Sequence, residues 1–79
     1  MSIRVLLVDD QQLVRTGFRM ILADEEDIEV VGEASNGSEA VEVAGKIRPD
    51  VVVAVNPIYL NEIGQDLAKL GLEPELTAL

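Results

Sequence analysis

No cysteine and no histidine occurs anywhere in these 79 residues. The first absence excludes a disulfide and a thiolate metal site. The second removes the commonest general base and the commonest transition-metal ligand. Aromatic residues are nearly missing as well: one Tyr, one Phe and no Trp. Any core must therefore be aliphatic. Bases are scarce, with 6 Lys and Arg against 15 Asp and Glu, for a net charge of −9. Such a charge repels polyanions, which argues against a nucleic-acid partner and against an anionic membrane surface. Its ordinary role is solubility. No stretch approaches the roughly 20 apolar residues of a membrane span. The start, Met1-Ser2-Ile3-Arg4, runs straight into a strand pattern without the regions of a signal peptide. The cytoplasm is the expected compartment.

What is present is aliphatic and periodic. Apolar residues make up 48% of the chain, ample for the core of a single domain over residues 1–79. A domain of this size is marginal without a staple, and self-association is a usual remedy. Ile3 to Val8 reads IRVLLV, the near-continuous apolar run of a strand covered on both faces. From Gln11 to Ala23 the apolar residues Leu13, Val14, Phe18, Ile21 and Leu22 fall at helical spacing, with Gly17 in the stripe as a site of close packing. The acidic run Asp24 to Asp27 is a solvated loop. Ile28 to Ala34 reads as a second strand. Ser35-Asn36-Gly37-Ser38 is turn chemistry, with Asn36 or Ser38 suited to cap a helix over Glu39 to Ile47. Val51 to Val55, VVVAV, carries the strongest strand signal. Asn56-Pro57 then opens a helix with Leu60, Ile63, Leu67 and Leu70 on one stripe, and Gly71 closes it. The tail from Leu72 to Leu79 reads as a short fourth strand or a frayed end, and Pro74 restricts any strand there to an edge. The order β-α-β-α-β-α implies right-handed crossovers and a three-layer α/β fold around a parallel sheet.

In open α/β sheets, sites form beyond the carboxyl ends of the strands. Those ends carry Asp9 and Asp10, then Ala34 to Gly37, then Val55 and Asn56. Paired carboxylates there suit a hard cation such as Mg²⁺. They equally suit a strand end that caps the next helix. Gly32, Gly37 and Gly45 do not form a dinucleotide-binding GxGxxG, and no phosphate-binding GxxxxGK[ST] exists. Ser35 and Ser38 have no histidine or lysine beside them in sequence and read as turn residues. Tyr59, the one tyrosine, reads as rim packing in the first turn of the last helix. No catalytic residue and no cofactor site emerges.

The stretch IRVLLVDDQQLVRTGFRMILADEEDIEVVGEASNGSEAVEVAGKIRPDVVV, residues 3–53, resembles the first half of a bacterial response-regulator receiver domain. It is most similar to the branch in which a helix-turn-helix DNA-binding domain follows. The resemblance implies half of a flavodoxin-like, doubly wound fold, whose full sheet has five strands in the order 2-1-3-4-5. It implies that Asp9 and Asp10 match the acidic pair that binds Mg²⁺. The phosphoacceptor Asp of the family stands at the end of strand 3, in a pattern like PDVVLMD. Here Pro49-Asp50-Val51-Val52-Val53-Ala54-Val55 places Val55 at that position, or Asn56 after a slip of one. Asp50 matches the Asp at the start of that strand, far from the chemistry. The family's Ser or Thr after strand 4 and Lys after strand 5 have no counterpart, and Lys69 does not match that Lys. The resemblance thus implies a weak, vestigial Mg²⁺ site at most.

From Ala54 onward the text AVNPIYLNEIGQDLAKLGLEPELTAL has the character of a strand–helix–strand unit from another Rossmann-like protein. The change falls inside a strand, whereas natural boundaries fall in exposed linkers. A chimera or designed protein is the reading, with a naturally decayed receiver as competitor. Val51, Val52, Val53, Ala54 and Val55 form an uncharged strand whose free edge invites another chain. The expectation is a homodimer through that edge, with fold-back of residues 72–79 as the other solution. The function expected is a non-enzymatic folding or assembly module; the alternative is a receiver-like domain that binds a protein partner without phosphorylation.

Overall fold

The computed structural model describes residues 2–78. Four strands alternate with three helices: β1 (Ile3–Val8), α1 (Gln12–Ala23), β2 (Ile28–Ala34), α2 (Gly37–Ile47), β3 (Val51–Ala54), α3 (Ile58–Lys69) and β4 (Glu75–Ala78). All pairings are parallel and the sheet order is β2-β1-β3-β4. The chain moves one way from β1 to β2 and then back past β1 to β3 and β4. With right-handed crossovers, that reversal puts α1 on one face and α2 and α3 on the other.

The tail, readable as a short fourth strand or a frayed end, is a strand over Glu75–Ala78. β4 pairs with β3 residue by residue, Val51 with Glu75 through Ala54 with Ala78. The edge offered by Val51, Val52, Val53 and Ala54 is therefore taken within the chain, and β4 is the outer strand. Pro74 lies just before β4, where its missing N–H removes no ladder bond. Leu79, the last residue of that tail, lies outside the described residues, as does Met1.

The helix ends follow side-chain chemistry. Asn36 accepts from the Glu39 N–H at 2.8 Å, so α2 begins at Gly37, two residues earlier than the spacing suggests. Asn56 does the same work before α3, its side-chain oxygen accepting from the Ile58 N–H at 3.0 Å. α3 closes in a Schellman arrangement. Gly71 takes φ +75°, the Leu72 N–H reaches the Leu67 carbonyl at 2.9 Å, and the Gly71 N–H reaches Ala68 at 3.0 Å. α2 ends instead on Arg48 at φ 48°, a left-handed conformation that a side chain tolerates at a cost of about 1 kcal/mol. α1 starts without a side-chain cap at Gln11.

The two faces are unlike. Leu6, Val8, Ala34, Ala40, Ala44, Val52, Ala54, Ile63 and Leu67 form one buried cluster between the sheet and α2 and α3. On the other face the buried cluster holds Val5, Leu7 and Val53, with Phe18 of α1 packed against it. β2 serves both. Its register shifts at Val31, a bulge. Ile28 and Val30 therefore pack on the α1 side, whereas Gly32 lies beneath Val43 and Ile47 of α2 and Ala34 joins the larger cluster. Gly17 does not permit close packing on the sheet, because a Cβ there would meet nothing within 4 Å. Leu70, counted in the apolar stripe of α3, stands exposed at the helix end. No described helix is long and apolar enough to cross a membrane.

Candidate functional site

The winding reverses between β1 and β3, and their carboxyl ends flank a crevice. Asp9 follows β1 there and is only 4% exposed. Three contacts fix it. Its N–H donates to the Ala34 carbonyl at 3.0 Å. Its carboxylate accepts the Gln11 N–H at 3.1 Å. Its carbonyl accepts the Arg15 guanidinium. Asp9 thus caps the turn into α1 while remaining a buried carboxylate. Asp10 beside it is exposed.

Across the crevice the tip of β3 is apolar. The Val55 N–H donates to the Val8 carbonyl at 3.0 Å, which seats Val55 next to Asp9 in the neighbouring strand. No acid occurs from Val51 through Pro57. The Asn56 side chain is spent on the Ile58 N–H. Asp50 sits at the opposite end of β3, where its carboxylate accepts the Arg4 N–H at 2.9 Å and its own N–H donates to the Arg4 carbonyl. It is a structural tie between β1 and β3. Lys69 pairs with Asp66 at 3.7 Å on the exposed side of α3, away from the crevice. Tyr59 packs half-buried against the larger core cluster.

Two groupings escape a reading of the residues alone. Glu33 holds Arg15 at 3.3 Å and Arg19 at 2.8 Å, and with the Arg15 bond to Asp9 this links β1, α1 and β2 beside the crevice. The i, i+4 spacing of the two arginines is visible in sequence. The facing of Glu33 is not, because it depends on the bulge at Val31. The second grouping joins α3 to α2. The Glu62 carboxylate lies against Gly37, so close that a Cβ on Gly37 would come within 2.9 Å of it. A carboxylate there complements the positive end of α2.

Chemically the crevice offers two adjacent carboxylates, one of them desolvated and engaged with a backbone N–H. A hard cation wants several oxygen ligands. Among the described residues no group of three or more His, Cys, Asp or Glu side chains is placed to hold a metal. The donor set does not fit a Mg²⁺ site of ordinary affinity. At the end of β2 the Ser35 hydroxyl donates to the Glu39 carboxylate at 2.8 Å, an exposed bond across the turn into α2.

A family model described as the response regulator receiver domain matches residues 5–55. The chain is similar to the transcriptional regulatory protein LiaR of Bacillus subtilis, at 53% identity over 51 residues, which is 65% of this chain and 24% of that protein. It is similar to the response regulator GacA of Pseudomonas viridiflava at 51% identity over 51 residues, again 65% of this chain and 24% of the relative. This chain spans about a quarter of the length of these curated relatives. In fold it is similar to the receiver domain of the response regulator NarL from Mycobacterium tuberculosis. The TM-score is 0.86 at 25% identity, over 98% of this chain and 64% of that one. The response regulator domain of Thermotoga maritima CheB gives a TM-score of 0.79 at 30% identity, over 99% of this chain and 61% of that chain.

Proposed function

This chain belongs to the response regulator receiver family, and from that premise we propose that it is a non-enzymatic assembly module that keeps the receiver architecture without accepting phosphate. One observation carries the reading. The tip of β3, beside Asp9, holds Val55, whose side chain has no oxygen to attack phosphorus. Asp9 and Asp10 remain as the acidic half of a cation site that lacks its third carboxylate.

A further observation supports descent from two parents. The family match ends at residue 55, within one residue of the end of β3. The fold similarity continues over 98% of the chain. Such a break between sequence likeness and fold likeness suits a receiver segment continued by a strand–helix–strand unit of another Rossmann-like protein. The second reading is a receiver that has lost its acceptor and signals by binding a protein partner. The uninterrupted receiver fold favours it. A natural protein as close in sequence after residue 55 as the relatives are before it would decide for the second.

The test is incubation with acetyl phosphate and Mg²⁺ followed by intact-mass measurement. The expected result is no species heavier by one phosphoryl group. A stable phosphorylated species mapping to the crevice overturns the proposal. In parallel, V55D restores a third carboxylate beside Asp9 and Asp10. It is expected to tighten Mg²⁺ binding by about tenfold or more, read by calorimetric titration, whereas the unaltered chain binds weakly.

A further inference from the structure

Asparagine occurs at Asn36, Asn56 and Asn61, and only Asn36 precedes a glycine. An Asn-Gly pair is chemically labile. The glycine nitrogen, unhindered by a side chain, attacks the side-chain amide carbon of the asparagine. Asn56 precedes Pro57, which has no N–H to give up. Asn61 stands inside α3, where the helix holds its backbone. The fold has a use for each member of the labile pair. Asn36 caps α2, its side-chain oxygen accepting the Glu39 N–H at 2.8 Å. At Gly37 the missing side chain leaves the space that Glu62 of α3 fills. A Cβ there would come within 2.9 Å of one Glu62 carboxylate oxygen and 3.1 Å of its Cδ.

The same contacts hold the pair out of reaction. Asn36 is exposed, so water reaches its side chain, but Gly37 is buried. Attack requires the Gly37 nitrogen to lose its proton, and a carboxylate alongside disfavours the negative charge that develops. The backbone of Asn36 is extended, at φ −160° and ψ 174°. Closing a five-membered ring needs the amide carbon turned onto the Gly37 nitrogen, which the cap bond resists. Ser35 braces the turn from its other side, where its hydroxyl donates to the Glu39 carboxylate.

We propose that Asn36 is a deamidation site kept latent by the docking of α3 on the start of α2. When α3 lifts away and the cap opens, the Gly37 nitrogen bonds to Asn36 Cγ. The side-chain nitrogen leaves as ammonia, taking the proton that the glycine amide gives up. Water then opens the cyclic imide, at one carbonyl to give aspartate and at the other to give isoaspartate. One water is consumed and one ammonia released, with no change of oxidation state. The aspartate product keeps an oxygen for the Glu39 N–H, so α2 keeps its start. It also adds a negative charge one residue from the Glu62 contact, and α3 seats less firmly afterwards. The isoaspartate product lengthens the backbone by one carbon and loses the cap. Each conversion therefore records an opening of α3 and eases the next one.

The test ages the folded chain at neutral pH beside a sample unfolded in urea. Peptide mapping by mass spectrometry reads the acid formed at Asn36. The folded chain should convert about tenfold or more slowly than the unfolded one. Glu62→Ala uncovers Gly37 and should raise the folded rate about threefold or more. Gln65→Ala, an exposed change on the same helix, should leave it unaltered. Circular dichroism checks that both variants fold. Where Glu62→Ala does not fold, Glu62→Gln takes its place, keeping the bulk and removing the charge, and should raise the rate in the same direction. No acid at Asn36 in the unfolded sample overturns the proposal. So do equal rates in the folded and unfolded chains, a folded Glu62 variant that converts no faster, or a Gln65→Ala rate that matches it.

Discussion

The two faces of this sheet are built from the same strands, yet one is closed and the other half-open. Leu6, Val8, Val52 and Ala54 point to the side where α2 and α3 lie together, and all of them are fully buried. Val5, Leu7 and Val53 point to the side of α1. They too are buried, but the helix over them buries nothing of its own completely. The contrast shows where packing energy resides. A fully buried Leu or Ile contributes roughly 1.5–3 kcal/mol by transfer from water, and α3 supplies two such residues, Ile63 and Leu67. α1 supplies none.

Truncation should make the contrast measurable. The largest effect is expected for Leu67→Ala, a cavity on the closed face costing about 2–5 kcal/mol in urea denaturation. A loss near that of a surface substitution would mean the closed face is loosely packed. Gly32→Ala comes next. The new Cβ would stand 2.9 Å from Ile47 Cδ1 and 3.2 Å from Val43 Cγ1, and overpacking there should cost about 1–3 kcal/mol. The helix starts differ in the same sense as the faces. Asn36→Ala should cost about 1 kcal/mol by removing the cap of α2, whereas Gln11→Ser should add up to about 1 kcal/mol by supplying a cap that α1 lacks. Equal and opposite shifts in urea midpoint would sharpen the comparison; no change on Gln11→Ser would break it. The smallest effect belongs to Leu13→Ala, expected within about 0.5 kcal/mol because the side chain is exposed.

Much of this was legible beforehand where one physical signal dominates. IRVLLV and VVVAV read as strands because both faces of each are covered. Asp9 and Asp10 were placed at a strand end by the abrupt stop of that apolar run, and they stand there. Gly71 was readable as a helix stop, since a left-handed residue is what a Schellman closure requires. The failures share a cause, which is dependence on long-range pairing. Glu75 to Ala78 reads equally as an edge strand or a frayed end, because ELTA is short, half polar and preceded by Pro74, and only its pairing with β3 decides between them. Gly17 looked like a packing glycine because a helix on a sheet is assumed to have neighbours on both flanks. The cluster of Arg15, Arg19 and Glu33 was hidden because Glu33 faces α1 only after the bulge has changed the alternation.

That bulge makes β2 the one strand with slack. Val31 is a surplus residue opposite β1, so a single-codon deletion at or next to it could be absorbed by straightening, with Ile28 and Ala34 keeping their sides. β1 and β3 carry no such reserve. Loss of one residue from either would turn every later side chain to the wrong layer. Among the strands, tolerance for the loss of a residue is therefore concentrated at a single point in β2.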